Sequence, residues 1–118
     1  MKVVFLLVAI YCTIPCIAQT SDVDGNQLLE RCSAYLKARD NPPLTAKEQI
    51  DAGFCLGYLS GITDSNAALK RDFCAPADAT IEQFARVVVK WLRDNPAKLH
   101  LNAGDVSLTA LRSAFPCK

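Results

Sequence analysis

The sequence has few of the residues that metal centres and membrane spans require. Its single histidine is His100, and its six cysteines include no C-x-x-C pair, so we predict no zinc site. No apolar run reaches the roughly 18 residues that a membrane-spanning helix needs. No segment of useful length alternates apolar and polar residues, which argues against a sheet as the main architecture.

Concentrated charge is also missing. The chain has 13 basic and 12 acidic residues, and no block of lysine and arginine stands out among them. Because binding to nucleic acid or to anionic lipid depends on such clusters, we predict neither partner. We also predict no cofactor.

The first residues, MKVVFLLVAIYCTIPCIAQ, have the layout of a secretory signal. One lysine precedes an apolar run, and small residues at Cys16 and Ala18 follow it. We predict that residues 1–18 are removed after Ala18, which leaves residues 19–118 as one domain in the periplasm or outside the cell. An N-terminal anchor that is never removed is the alternative.

Four cysteines follow the predicted signal, and an even number in a small exported domain indicates disulfides. They are Cys32, Cys55, Cys74 and Cys117. Three pairings are possible. Each bridge would stabilise the fold by roughly 2 to 4 kcal/mol.

Apolar residues in the rest of the chain recur with the helical period, between breaks at RDNPPLT, KRDFCAPADAT and RDNPAKLHLN. The first three helices have predicted N-caps at Asp24, Thr45 and Thr80, and a fourth helix starts at Asn102. On the second helix, one apolar face is expected to consist of Ile50, Phe54, Tyr58 and Ile62. We therefore predict an all-α fold, a compact bundle of about four helices cross-linked by two disulfides.

The stretch GFCLGYLSGITD brings three glycines into the second helix. Gly53, Gly57 and Gly61 lie four residues apart, so they share one stripe, and together they cost roughly 2 to 3 kcal/mol of helix propensity. We predict that another helix or chain segment approaches the backbone along this stripe and recovers dispersion contacts. A ligand groove is the alternative.

Cys55 lies between two of these glycines and projects to a neighbouring side of the helix. We favour a bridge from Cys55 to Cys117, because a helix ending at Pro116 beside a free terminus would otherwise fray. Cys32 in the first helix would then pair with Cys74.

Three segments resemble the signature of the Rap/Tai immunity proteins. They are CLGYLSGITD from Cys55 to Asp64, FCAPADATIEQFARVVVKWLRDNPAKLH from Phe73 to His100, and ALRSAFPC from Ala110 to Cys117. The family pattern has a C-x-G-Y-x-x-G helix, then C-x-P, a T-x-x-Q helix start, V-V-x-x-[WY]-L, a helix-ending proline and a terminal A-F-P-C. The resemblance covers nearly all of the chain after the predicted signal.

The resemblance implies a small helical protein of the bacterial periplasm that is often dimeric. Characterised members of the family bind a peptidoglycan amidase delivered by a type VI secretion system and block its active cleft. Those toxins look like papain-type cysteine peptidases, so the inhibitor has only to occupy a groove beside a cysteine and a histidine. The resemblance therefore predicts a toxin inhibitor with a protein partner, able to form a homodimer.

The residues themselves also argue against an enzyme. His100 is the single histidine, and two disulfides leave no free thiol after the signal. No acidic and basic side chain can be assigned to one pocket as a catalytic pair. The family signature does not contain the inhibitory residues, so the contact surface is chosen from loop position. We select Asp94, Asn95, Lys98 and His100 in the loop DNPAKLHLN. The loop ARDNPPLT, residues 38–45, is a second candidate.

Two other function classes are compatible with the sequence. A periplasmic acid-stress chaperone is also small, helical and disulfide-bonded, and its cysteine placement resembles Cys32 and Cys74, which adds weight to that pairing. Such chaperones dissociate in acid and expose apolar surface, so an assay of client protection in acid would separate them from an immunity protein. A structural envelope protein with no toxin partner is the third class.

Overall fold

The computed structural model describes residues 23–69 and 71–118, and the predicted signal at residues 1–18 lies outside them. The helices are α1 (Gly25–Asp40), α2 (Ala46–Ala68), α3 (Ile81–Asp94) and α4 (Ala103–Ala114), with a 3-10 turn at Pro96–Lys98. The described residues contain no strand, so the all-α prediction is confirmed. None of these helices is long and apolar enough to cross a membrane.

Side chains cap the helices at the predicted positions. The capping residues are Asp24, Thr45, Thr80 and Asn102. The caps of α2 and α3 are reciprocal capping boxes, in which Thr45 pairs with Glu48 and Thr80 pairs with Gln83. Each box satisfies backbone N–H groups that have no partner within their helix, which is why both helices begin sharply.

Glu48 carries a further interaction that makes the α2 cap sensitive to pH. One carboxylate oxygen accepts a hydrogen bond from Lys37 Nζ at 2.6 Å and the other accepts one from Thr45 N at 2.8 Å. The Lys37 hydrogen bond, followed by the Thr45 amide, lowers the pKa of Glu48 from 4.5 to about 2. Because the folded pKa is the lower one, the Glu48 contribution is present above about pH 4.5 and is lost as the pH falls toward 2.

We expect Glu48→Gln to reduce the loss of stability between about pH 4.5 and 2. Glutamine keeps a side-chain oxygen for the capping box, as Gln83 does in α3, but it does not titrate. Denaturant unfolding at a series of pH values measures this, and Lys37→Met should weaken the same pH dependence in part. Parallel pH profiles for the wild type and Glu48→Gln would contradict the assignment.

The core lies where all four helices meet, and α1 and α2 form the most extensive helix pair. Its largest fully buried apolar side chains are Leu28, Leu59, Leu92, Leu111, Val88 and Val106. The predicted apolar face of α2 is wrong at Ile50, which is 74% exposed. The helix is rotated so that Ala52, Cys55 and Leu59 face the core, and Ile50 therefore points to solvent.

The four predicted cysteines form two disulfides, as expected, but the predicted pairing is wrong. Cys32 bonds to Cys55, and Cys74 bonds to Cys117. Cys55 faces α1 inside the core and not the C-terminal segment. That segment folds back on the loop before α3, where Cys74 N donates to Phe115 O at 2.8 Å. The likeness to acid-stress chaperones that rested on a Cys32–Cys74 bridge is therefore lost.

Candidate functional site

The loop between α3 and α4, residues 95–102, is built from consecutive tight turns. Its backbone hydrogen bonds run from Lys98 N to Asn95 O at 3.0 Å and from Leu101 N to Lys98 O at 3.1 Å. The Asn95 side chain turns back and donates to Trp91 O at 2.8 Å. Pro96 fixes one backbone angle within the 3-10 turn. The α3–α4 loop thus has a defined shape even though it is a connector.

The N-terminus of α1 holds this loop from the other side. Gly25 N donates to Leu101 O at 2.9 Å, and Asn26 N donates to Leu99 O at 3.0 Å. The Asn26 side-chain amide donates to the same Leu99 oxygen at 3.2 Å. The first N–H groups of a helix have no partner within the helix. Here they bind the loop carbonyls, so α1 fixes the position of the α3–α4 loop.

Close approach of the two segments requires glycine at position 25. A Cβ atom there would lie 2.8 Å from Leu99 O, 3.1 Å from Leu99 Cα and 3.2 Å from a Leu92 methyl. Two of these atoms belong to the backbone and cannot rotate away. Beside this contact, Ala103 N donates to Val23 O at 2.9 Å, which fixes the end of the loop as well.

The α3–α4 loop presents a short row of side chains to solvent. Pro96, Ala97, Lys98 and His100 are exposed, and Leu101 is 40% exposed. The Lys98 amine lies 5.6 Å from the centre of the Trp91 ring, a distance typical of a weak cation–π contact. The exposed side chains of the loop therefore include one positive charge, an imidazole and apolar atoms.

The selected residues divide into two groups. Lys98 and His100 project from the loop, as a contact role requires. Asn95 is used internally, and Asp94 forms an ion pair with Lys90 at 2.6 Å on the surface of α3. The structure thus exposes Lys98 and His100 on the loop and gives Asn95 a structural role.

A family model for Rap1a immunity proteins matches residues 24–117. The chain belongs to the Rap1a immunity protein family. The match begins at the cap of α1 and ends at Cys117, so it includes all four helices and both disulfides. No curated protein and no solved structure matches this chain.

The second candidate loop of this Rap1a family member, residues 38–45, is anchored differently. Its first three positions, 38–40, belong to the end of α1, where Asp40 forms an ion pair with Arg86 at 2.7 Å and Arg39 forms one with Glu82 at 3.1 Å. The Arg86 hydrogen bond lowers the pKa of Asp40. Exposed ion pairs contribute little stability, since water and salt screen them. This loop is therefore less firmly positioned than the α3–α4 loop.

The three glycines of α2 do not have the contact that the sequence predicts. Gly53, Gly57 and Gly61 lie on the exposed face of the helix, and a Cβ at any of them would meet nothing within 4 Å. The predicted close approach by a helix or chain segment is thus absent within the described part of the chain. These three glycines thus lower helix stability, and no contact from residues 23–69 or 71–118 compensates for the loss.

We expect Gly57→Ala to raise the free energy of unfolding by about 0.5 to 1 kcal/mol, because alanine restricts the unfolded chain and meets no atom in the folded one. Denaturant unfolding followed by the fluorescence of Trp91, the single tryptophan, measures the change. A loss of stability in the monomer would contradict the open surroundings of this glycine.

The described residues contain no group of three or more His, Cys, Asp or Glu side chains that could hold a metal ion. His100 lies on the α3–α4 loop, and all four described cysteines are in disulfides. The α3–α4 loop of this Rap1a family member is an exposed surface that hydrogen bonds from α1 hold in place.

Proposed function

We propose that this protein is a periplasmic immunity protein that binds a peptidoglycan amidase delivered by a type VI secretion system. In this proposal the α3–α4 loop enters the active cleft of the toxin and excludes its substrate. Membership of the Rap1a family supports the toxin partner, and two disulfides fit an oxidising compartment. The protein acts by occupying space and needs no cofactor or catalytic group.

The observation that carries the proposal is the attachment of the α3–α4 loop to α1. The carbonyl groups of Leu99 and Leu101 already accept hydrogen bonds from Asn26 and Gly25. A loop held in one shape loses less conformational entropy on binding than a flexible one. The side chains of Lys98 and His100 are left free to contact the cleft.

The homodimer implied by the family resemblance remains a prediction. It requires a surface other than the α3–α4 loop, because a loop that enters a toxin cleft has to stay accessible. Light scattering of the purified protein at several concentrations measures the molar mass of the particle, which distinguishes a monomer from a homodimer.

We expect Lys98→Glu to weaken binding to the cognate amidase by about tenfold or more, because reversing a charge at an interface slows association and adds repulsion. Arg71→Glu is the matched control, since Arg71 is also exposed but precedes α3 at the opposite end of that helix. Calorimetric titration with the purified amidase gives both dissociation constants.

Survival of cells that express the amidase in their periplasm gives an independent readout. The wild type and Arg71→Glu should protect, and Lys98→Glu should protect less at equal protein level. Equal binding by Lys98→Glu and the wild type would remove the α3–α4 loop from the interface. Failure to bind or protect against any peptidoglycan amidase would remove the proposed partner class.

A further inference from the structure

The two disulfides differ sharply in their access to solvent. Cys32 and Cys55 are 0% exposed and belong to the core. Cys74 and Cys117 are both exposed, and neither lies in a helix. A disulfide in a loop or tail becomes reachable through local opening, whereas a core disulfide needs much more of the fold to open. Reagents in solution therefore meet two bridges of very different reactivity.

A groove of about 550 Å³ leads to the exposed bridge. Its lining includes Thr63, Asn66, Arg71, Phe73, Cys74 and Pro76. Among the described residues that line the groove, Arg71 is the one cationic side chain, and the adjacent carboxylate of Asp72 forms its ion pair with Arg112 at 3.0 Å. A groove with one available positive charge suits an approaching thiolate, since opposite charges attract across a partly enclosed surface.

Apart from the bridge, the described contacts that hold the segment it fastens lie at Phe115, whose N donates to Leu111 O at 2.8 Å and whose side chain packs against the core. Cys74 N donates to Phe115 O at 2.8 Å, and the Phe115 ring packs edge-on against Phe84 at 5.6 Å. The last residues of the chain, 116–118, are exposed. Opening the bridge would therefore free a short segment and leave the helices packed.

We infer that the Cys74–Cys117 bridge is a thiol–disulfide exchange site for a dithiol reductant, which reaches Sγ of Cys74 through the groove. The reductant thiolate attacks that sulfur, a mixed disulfide forms, and Cys117 leaves as a thiolate that takes a proton from water. The second reductant thiol then attacks the mixed disulfide and releases Cys74. Two electrons and two protons pass to the protein, and the reductant becomes a disulfide.

Reduction at this site leaves the α3–α4 loop in place. The loop is held by Gly25 and Asn26 at the other end of α3, and the buried Cys32–Cys55 bridge still joins α1 to α2. The inference stands whether or not the proposed amidase partner is correct, because it concerns a different end of the molecule.

Timed reduction tests the site. The folded protein is treated with dithiothreitol, quenched with N-ethylmaleimide and mapped by mass spectrometry. Cys74 and Cys117 should be labelled at least about 100-fold faster than Cys32 and Cys55, because the core bridge needs extensive opening. Labelling of all four cysteines at one rate, or of the core pair first, would overturn the inference.

Two further experiments test the route of attack. A thioredoxin-type protein with its resolving cysteine replaced by serine should be trapped on Cys74. Trapping on Cys117 would contradict the inference that the attack begins at the sulfur of Cys74.

At low salt, Arg71→Glu should slow reduction of the exposed bridge by about threefold or more, because the new carboxylate repels the thiolate. Arg93→Glu, on the exposed surface of α3, should leave the rate unchanged. Equal reduction rates for the two variants would contradict an approach of the reductant through the groove.

Discussion

Gly25→Ala is expected to lower the free energy of unfolding by about 1 to 3 kcal/mol, the usual cost of forcing extra atoms into a packed site. The added methyl would lie 2.8 Å from Leu99 O and 3.1 Å from Leu99 Cα, so the α3–α4 loop has to move away from α1. Movement weakens the hydrogen bond from Gly25 N to Leu101 O. The intrinsic preference of alanine for helix recovers only part of this loss.

Gly57→Ala is the matched control for this substitution. Both changes add one methyl group to a glycine in a helix, but the methyl at position 57 meets open space. Denaturant unfolding should therefore show a lower free energy of unfolding for Gly25→Ala and a higher one for Gly57→Ala. If Gly25→Ala were as stable as the wild type, the close contact between α1 and the α3–α4 loop would not exist in solution.

Gly25→Ala should also weaken binding to the proposed toxin partner if the α3–α4 loop is the contact surface. Moving the Leu99 backbone shifts Lys98 and His100, and a displaced loop loses the benefit of its fixed shape. Calorimetric titration under conditions where Gly25→Ala remains folded separates this effect from lost stability. Asn26→Ala gives a second test, since it removes the side-chain hydrogen bond to Leu99 O without adding an atom.

Replacing Cys32 and Cys55 together by alanine is expected to destabilise the protein more than replacing Cys74 and Cys117. Chain entropy alone predicts the reverse order. The bridges span 23 and 43 residues, and the longer loop should contribute about 0.6 kcal/mol more, since that is the gain for each doubling of loop length. Each bridge contributes roughly 3 to 4 kcal/mol on this basis.

Burial of the cysteines decides which double variant loses more stability. Cys32 and Cys55 have no exposed surface, so alanine leaves a cavity where two sulfur atoms packed, at a further cost of roughly 1 to 3 kcal/mol. Cys74 and Cys117 are exposed, and alanine leaves no enclosed cavity there. The cavity cost exceeds the 0.6 kcal/mol from loop length.

Guanidinium unfolding of the two double variants, followed by circular dichroism, measures both losses. We expect the core variant to be largely unfolded at body temperature, as small exported domains often are without a native disulfide. A core variant as stable as the wild type, or more stable than the exposed-bridge variant, would contradict the burial argument.

Local signals in the sequence predicted the helices well. Thr45 with Glu48 and Thr80 with Gln83 are capping boxes that depend only on residues three positions apart, and both appear as predicted. The proline after Asn95 correctly marked the end of α3. Helix limits could be predicted because the interactions that set them are local.

Long-range relations could not be derived in the same way. The pairing of Cys55 depends on which face of α2 meets α1, and Cys32 and Cys55 come together only when the helices pack. Gly53, Gly57 and Gly61 suggested close packing, but equal spacing does not tell which side of a helix is buried. Only tertiary structure distinguishes their open surroundings from the contact at Gly25.

The exposure of the α3–α4 loop could be predicted from the sequence, but its attachment to α1 could not. Lys98 and His100 were selected because a proline-stiffened loop is a natural contact surface, and the structure exposes both. The residues that hold the loop, Gly25 and Asn26, were missed because they lie more than 70 positions away. A glycine directly after the cap Asp24 was the one available signal.

The most direct test of the account is a photo-crosslink from position 100 in a complex with the proposed amidase partner. A benzophenone amino acid replaces His100 in one variant and the exposed Ser113 of α4 in another. Position 100 should crosslink to peptides that line the toxin's active cleft, and position 113 should not. A stable complex in which position 113 crosslinks to the cleft and position 100 does not would contradict the account.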